Sequence, residues 1–195
     1  MPDTEIARDM FVFTRPPAAE TADARLRPEF YLVGRAAAGD REAFNDLYKM
    51  FAPMVHGIVL TSVPYQEAPD LVQEVFITAY EKLHSLREPN AFGGWLARIA
   101  RNRAAEFHRQ RRPSEEVSDD MGGPKSATAE AAEILEVIRS MPDTYRETLI
   151  LRLVEGMTGV EIAEMTGRTH DSVRVNLHRG MEILRQKLGI TRRRK

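Results

Sequence analysis

The residues of this chain that could do chemistry are cations rather than nucleophiles. Between Arg87 and Arg112 seven arginines (87, 98, 101, 103, 109, 111 and 112) are set against only Glu88 and Glu106. Between Arg168 and Lys195 nine lysines or arginines are set against Asp171 and Glu182. The spacer from Pro113 to Glu130 has the opposite sign, with Glu115, Glu116, Asp119, Asp120 and Glu130 against Lys125 alone. The formal net charge of −1 averages these blocks away. Two basic patches on either side of an acidic spacer are the footprint of two separate contacts with a polyanion. Arginine can grip guanine bidentately and asparagine can do the same for adenine, so Arg174, Asn176, His178 and Arg179 are candidates for reading base edges in duplex DNA.

Catalytic chemistry is not spelled out. There are no cysteines, which removes disulfides, thiolate zinc sites and thiol nucleophiles and suits a reducing compartment. The five histidines, at 56, 84, 108, 170 and 178, are scattered, with no metal-ligand spacing and no nucleophile beside a base. Gly93-Gly94 is a lone pair inside a helical pattern, not a phosphate loop after a strand. The expectation is no enzyme activity, no cofactor and no metal.

The elements that must carry these residues are helical. The chain has 195 residues, 43% hydrophobic, 29% charged and 7% aromatic, a composition that fits a soluble all-α protein of one or two small domains better than a β-sandwich. No apolar run approaches the roughly 18 to 20 residues of a spanning helix, and the acidic start with Pro2, Asp3 and Glu5 is unlike a signal peptide. A cytoplasmic protein without membrane insertion is expected.

Residues 1–27 show no sustained apolar period and are read as a flexible arm. A helix over Phe30 to Ala38 breaks at Gly39-Asp40, where Asp40 would cap the next helix with Ala43, Phe44, Leu47, Tyr48 and Phe51 inward. Pro53 either kinks that helix or starts another through Val55, Ile58, Val59 and Leu60, closed by Pro64. Pro69 sits in the first turn of the clearest amphipathic helix, with Leu71, Val72, Val75, Phe76, Ala79, Tyr80 and Leu83 on its apolar face. After the loop Ser85 to Asn90 comes a basic helix whose apolar stripe is Phe92, Trp95, Leu96, Ile99, Ala100 and Phe107. Trp95 and Phe92 therefore read as core rather than as stacking platforms. Arg98, Arg101, Arg103, His108 and Arg109 occupy its other faces, suited to phosphates, with Asn102 and the loop Arg87 to Ala91 near base edges.

Residues 113–128, with Met121-Gly122-Gly123-Pro124, read as an acidic linker. Helices are then expected near 129–140, 143–154, 159–165 and 170–188, with Asp143 capping the second and Gly156 ending it. In the last pair, Ala163 is small enough for a helix crossing, Gly167 tolerates the positive φ of a tight turn, and Val173 and Leu177 anchor the second helix. That is the requirement of a helix-turn-helix.

Taken together, four ordered motifs carry a resemblance that none carries alone. They are Asp70-Leu71-Val72-Gln73-Glu74-Val75-Phe76, Trp95-Leu96-Ala97-Arg98-Ile99-Ala100-Arg101-Asn102, Met141-Pro142 with Arg146, and Glu161-Ile162-Ala163 with Ser172-Val173-Arg174 and Arg179. From about residue 30 to 190 the chain resembles bacterial sigma factors of the extracytoplasmic-function (ECF) class. The resemblance implies an all-α initiation factor of two small helical domains joined by a flexible linker. These are a region-two domain over 28–112 and a region-four domain over 129–190, followed by a basic tail over 191–195. It further implies that Asp70, Leu71, Val72, Gln73 and Glu74 dock on the β′ clamp helices of core RNA polymerase, and that the β flap is a further contact. The minus-ten element would meet Arg87, Asn90, Arg98, Arg101, Asn102, Arg103 and Arg109. The minus-thirty-five element would meet Arg168, Ser172, Arg174, Val175, Asn176, His178 and Arg179. An anti-sigma factor is the implied regulator.

Departures from the family pattern fall at Glu106, where Asp is frequent, at Gly180, where Ala is frequent, and at Arg168, where a small or apolar residue is frequent. Gly180 would weaken its helix by about 1 kcal/mol at most, and Arg168 would add a phosphate contact. Two other readings compete. A free-standing helix-turn-helix repressor or activator explains 129–195 but leaves the Asp70 motif and the first basic helix without tasks. A sigma-like decoy would bind its partner and yield no transcript.

Overall fold

The computed structural model describes residues 28–110 and 127–189. The expected arm, most of the acidic linker and the basic tail lie outside the described residues. Within them there are eight α-helices: α1 Pro28–Ala37, α2 Arg41–Val59, α3 Ala68–Lys82, α4 Phe92–Gln110, α5 Ala127–Arg139, α6 Asp143–Leu153, α7 Gly159–Thr166 and α8 His170–Lys187. Two 3-10 turns, Leu83–Ser85 and Pro89–Ala91, join α3 to α4. The all-α class holds, and α5 begins two residues before the expected helix start at 129.

Helix α2 is the spine of the first half. Gly39 takes φ +95, which turns the chain so that the Asp40 carboxylate accepts from the Glu42 and Ala43 amides at 3.0 and 3.1 Å. The Ala43 amide above all, with the Arg35 guanidinium behind it, holds the Asp40 carboxyl below its ordinary pKa. Pro53 neither ends nor divides α2, which runs through it. Its ring lies on an exposed side, where water can serve the carbonyl that lost its donor. Ala43, Leu47, Phe51, Met54, Val55 and Ile58 are buried and meet α3 through Leu71, Val72, Val75, Phe76 and Ala79. Phe51 packs edge-on against Phe92 of α4 at 5.0 Å. Phe92 is fully buried and Trp95 half-buried against the core, as their places on the stripe require.

In the second half α6 is the spine, buried continuously from Glu147 to Leu151. Its N-cap is Pro142, not Asp143, and no side chain caps it. Asp143 stands one residue inside and pairs with Arg146 at 3.0 Å. Helix α6 ends at Leu153 with Val154 as its C-cap, two residues before Gly156. Thr158 and Glu161 close a reciprocal capping box on α7, and Gly167 leaves α7 with φ 70. Ala163 is buried at the crossing, and Val173 and Leu184 anchor α8. Gly180 is a close-approach residue rather than a weak spot, because a Cβ there would come within 3.1 Å of Leu149 and 3.2 Å of Tyr145 on α6.

The two halves are not held apart. Helix α2 packs on α6 and α4 on α7, and one continuous set of buried residues runs from Val33 to Leu184.

Candidate nucleic-acid and protein interfaces

The acidic motif divides by helix period. On α3, Asp70, Gln73 and Glu74 are exposed, while Leu71 and Val72 are only 6% and 5% exposed. The expectation that Leu71 and Val72 belong to a docking surface is therefore corrected. They point into the core and fix the ridge on which the other three stand. Ile77 continues that ridge at 60% exposure. It was missed by the motif reading, although a spacing of three or four from Gln73 and Glu74 marks the same face.

The minus-ten candidates also separate. Arg98, Asn102 and Arg109 lie on one exposed face of α4, at intervals of four and seven. Arg87 and Asn90 are exposed in the turns that lead into it. Arg101 and Arg103 leave this face on opposite sides. Arg103 pairs with Glu106 at 3.1 Å and reaches Thr78 of α3. Arg101 donates through Nε and Nη2 to Glu147 of α6 at 2.8 and 2.9 Å, a bidentate bond that raises the guanidinium pKa further still. Arg101 is thus spoken for in this arrangement.

On α8, Ser172, Arg174, Val175, His178 and Arg179 share one solvent-facing side. Among the described residues Arg174 bonds only to Asp171, at 3.3 Å and on the surface, and the His178 side chain is 70% exposed. Thr169 caps this helix by accepting from the Ser172 amide, which sets the entry of its reading face. Asn176 does not join that face. It is 7% exposed, because it lies on the buried stripe with Val173, Gly180 and Leu184. The expectation that Asn176 reads adenine is corrected on that ground. Arg168, in the turn, pairs with the same Glu147 at 3.2 Å. A cleft of about 820 Å³ opens along the junction, lined in part by Arg101, His108, Arg109, Arg139 and Arg146.

Among the described residues no group of histidine, aspartate and glutamate could hold a metal ion, and no helix is long and apolar enough to cross a membrane.

Comparison with known proteins places this geometry. Residues 47–113 match the family model for Sigma-70 region 2, and residues 131–184 that for Sigma-70, region 4. The ECF RNA polymerase sigma-E factor of Escherichia coli is 32% identical over 176 residues, covering 80% of this chain and 92% of that one. The factor of the same description from Haemophilus influenzae is 30% identical, covering 80% and 93%. In fold, the chain is similar to CnrH in complex with the cytosolic domain of CnrY, with TM-score 0.62 and 23% identity over 84% of this chain and 98% of that one. It is also similar to the sigma factor RpoE in complex with the anti-sigma factor NepR from Bartonella quintana, with TM-score 0.51 and 19% identity over 76% and 98%. With region 2 carrying the acidic ridge and the first basic helix, and region 4 carrying the helix-turn-helix, the chain belongs to the ECF sigma factors of RNA polymerase.

Proposed function

We propose that the exposed ridge of α3 docks on core polymerase, that α4 opens and reads the minus-ten element, and that α8 reads the minus-thirty-five element. What supports this is the set of three faces left open on α3, α4 and α8, each carrying exposed polar side chains while the opposite side of its helix is buried. Asp70 and Glu74 suit a basic partner surface, and Ile77 gives that contact an apolar centre.

The face of Arg98, Asn102 and Arg109 suits a backbone with one phosphate every few ångströms. Strand opening costs a few kcal/mol per extruded base, offset when the base enters a protein pocket. Arg174, Val175, His178 and Arg179 stand where side chains of a recognition helix reach the major groove, where a bidentate arginine discriminates by about 1–3 kcal/mol. The factor contributes positioning and melting and has no catalytic step of its own. It works in the cytoplasm. An anti-sigma factor is the regulator the family implies, and the α3 ridge is a surface it would cover.

Run-off transcription tests the reading. Core polymerase plus this factor yields a transcript with a defined start, and core alone does not. A free-standing regulator would instead bind duplex promoter DNA tightly without core and leave start-site choice unaltered.

A further inference from the structure

The turn of the helix-turn-helix carries an arginine where its backbone favours an apolar residue. Gly167 leaves α7 with φ 70, and the Arg168 amide donates back to the Ala163 carbonyl at 3.1 Å. That backward bond, from the residue after a left-handed glycine, is a Schellman closure, in which the side chain of the donor residue frequently seals the helix end by an apolar contact. Here the side chain is charged and reaches α6 instead, where Arg168 Nη2 lies 3.2 Å from Glu147 Oε1. The pair is well covered, the Arg168 side chain being 27% exposed and that of Glu147 8%. Arg101 of α4 donates to the same carboxylate, but it is through Arg168 that Glu147 touches the turn.

A phosphate contact would need this guanidinium in solvent. Withdrawing it would leave a buried carboxylate short of a partner, which burial makes costly. Arg174 differs. Its partner Asp171 is 89% exposed, and a surface pair of that kind holds an arginine only weakly.

What the bridge holds is one end of α8. Thr169 follows Arg168 directly and caps that helix by accepting from the Ser172 amide at 3.2 Å. Further along, Gly180 fits against α6, where a Cβ would come 3.1 Å from Leu149. His170 and Gly180 are about 15 Å apart along the helix, at 1.5 Å per residue. Apolar packing at Val173 keeps α8 on the core, while the notch at Gly180 and the ion pair at Arg168 fix its angle to α6 from either end of the reading face. The N-terminal end is the one from which a recognition helix meets base edges. Without the ion pair α8 is free to pivot about Gly180, and Arg174, Val175, His178 and Arg179 swing with it.

We propose that Arg168 is a positioning residue of the minus-thirty-five reader, which through Glu147 sets the angle of α8 in the major groove and does not itself bind a phosphate. Promoter choice by this chain then depends on a carboxylate that never touches DNA. The inference deepens the proposed function and rests on α8 being the reader.

Holoenzyme formed from core polymerase and the full-length chain is titrated, by fluorescence anisotropy, onto two duplexes of equal length. One carries the minus-thirty-five sequence of a promoter whose start site has been mapped by run-off transcription, and the other carries the same bases scrambled. Arg168→Ala and Glu147→Gln are each expected to weaken the promoter duplex by about tenfold, the scale of one base contact. The scrambled duplex and the slope of log affinity against log salt are expected to stay as they are. A phosphate contact has the opposite signature: Arg168→Ala would weaken both duplexes alike and lower the slope by about 0.9, and Glu147→Gln, by freeing the arginine, would tighten both. Either of those results overturns the positioning role. So does a lowered melting temperature with an unaltered ratio between the two duplexes, the mark of a bridge that serves stability alone. The two readings fail separately. An unmodified holoenzyme that does not tell the duplexes apart removes α8 as the reader and the role of Arg168 with it, whereas full discrimination kept by both variants removes the role of Arg168 alone.

Discussion

At the scale of single residues, exposure decides which polar side chains are free to act. Arg174→Ala and Arg179→Ala are expected to reduce promoter-specific initiation by about 1–3 kcal/mol each if the contact is bidentate, with affinity for core polymerase unchanged by fluorescence titration. Asn176, two positions beyond Arg174 but buried, behaves differently. Asn176→Ala is expected to lower the melting temperature, with a destabilisation of about 1 kcal/mol, while footprinting shows the same promoter preference. Asp40 supplies a pH signature. Its carboxyl, held below the ordinary value near 3.8, stabilises the fold above that value, and the contribution fades as pH falls through the lower folded pKa. Asp40→Ala is therefore expected to melt below the unmodified protein at pH 7, with the gap narrowing below about pH 4.

At the scale of elements, the helix is the unit that makes a motif into a surface. Asp70→Arg or Glu74→Arg on α3 is expected to weaken core binding and leave the circular dichroism spectrum intact, since both are exposed. Leu71→Ala is expected to destabilise the fold by about 2–5 kcal/mol instead, because that side chain sits in the core. Co-sedimentation with core and thermal melts tell the two apart. The helices themselves were legible: α6, α7 and α8 begin or end within a residue or two of where caps, glycines and apolar spacing put them. At Asn176 the polar side-chain type misled, although a spacing of three from Val173 and four from Gly180 puts it on the buried stripe. At Gly180 helix propensity misled, because the reason for the glycine is a neighbour 31 residues earlier at Leu149. Pro53 could not be decided from the chain, because a proline on an exposed helix side costs one donor and leaves the helix free to continue.

At the scale of the whole molecule, what could not be read was the meeting of the halves. Glu147 and Arg101 are 46 residues apart, and α6 is buried along its middle turns, so no polar stripe announces which neighbour it faces. The two basic patches were legible as separate contacts, and they are separate on the promoter in the proposed function. In this arrangement they share a border. That border has a calorimetric consequence. Because the buried residues form one uninterrupted body from Val33 to Leu184, heat should melt both halves in a single peak whose van't Hoff and calorimetric enthalpies agree. In the Glu147→Ala protein the peak should split in two, each half then melting on its own.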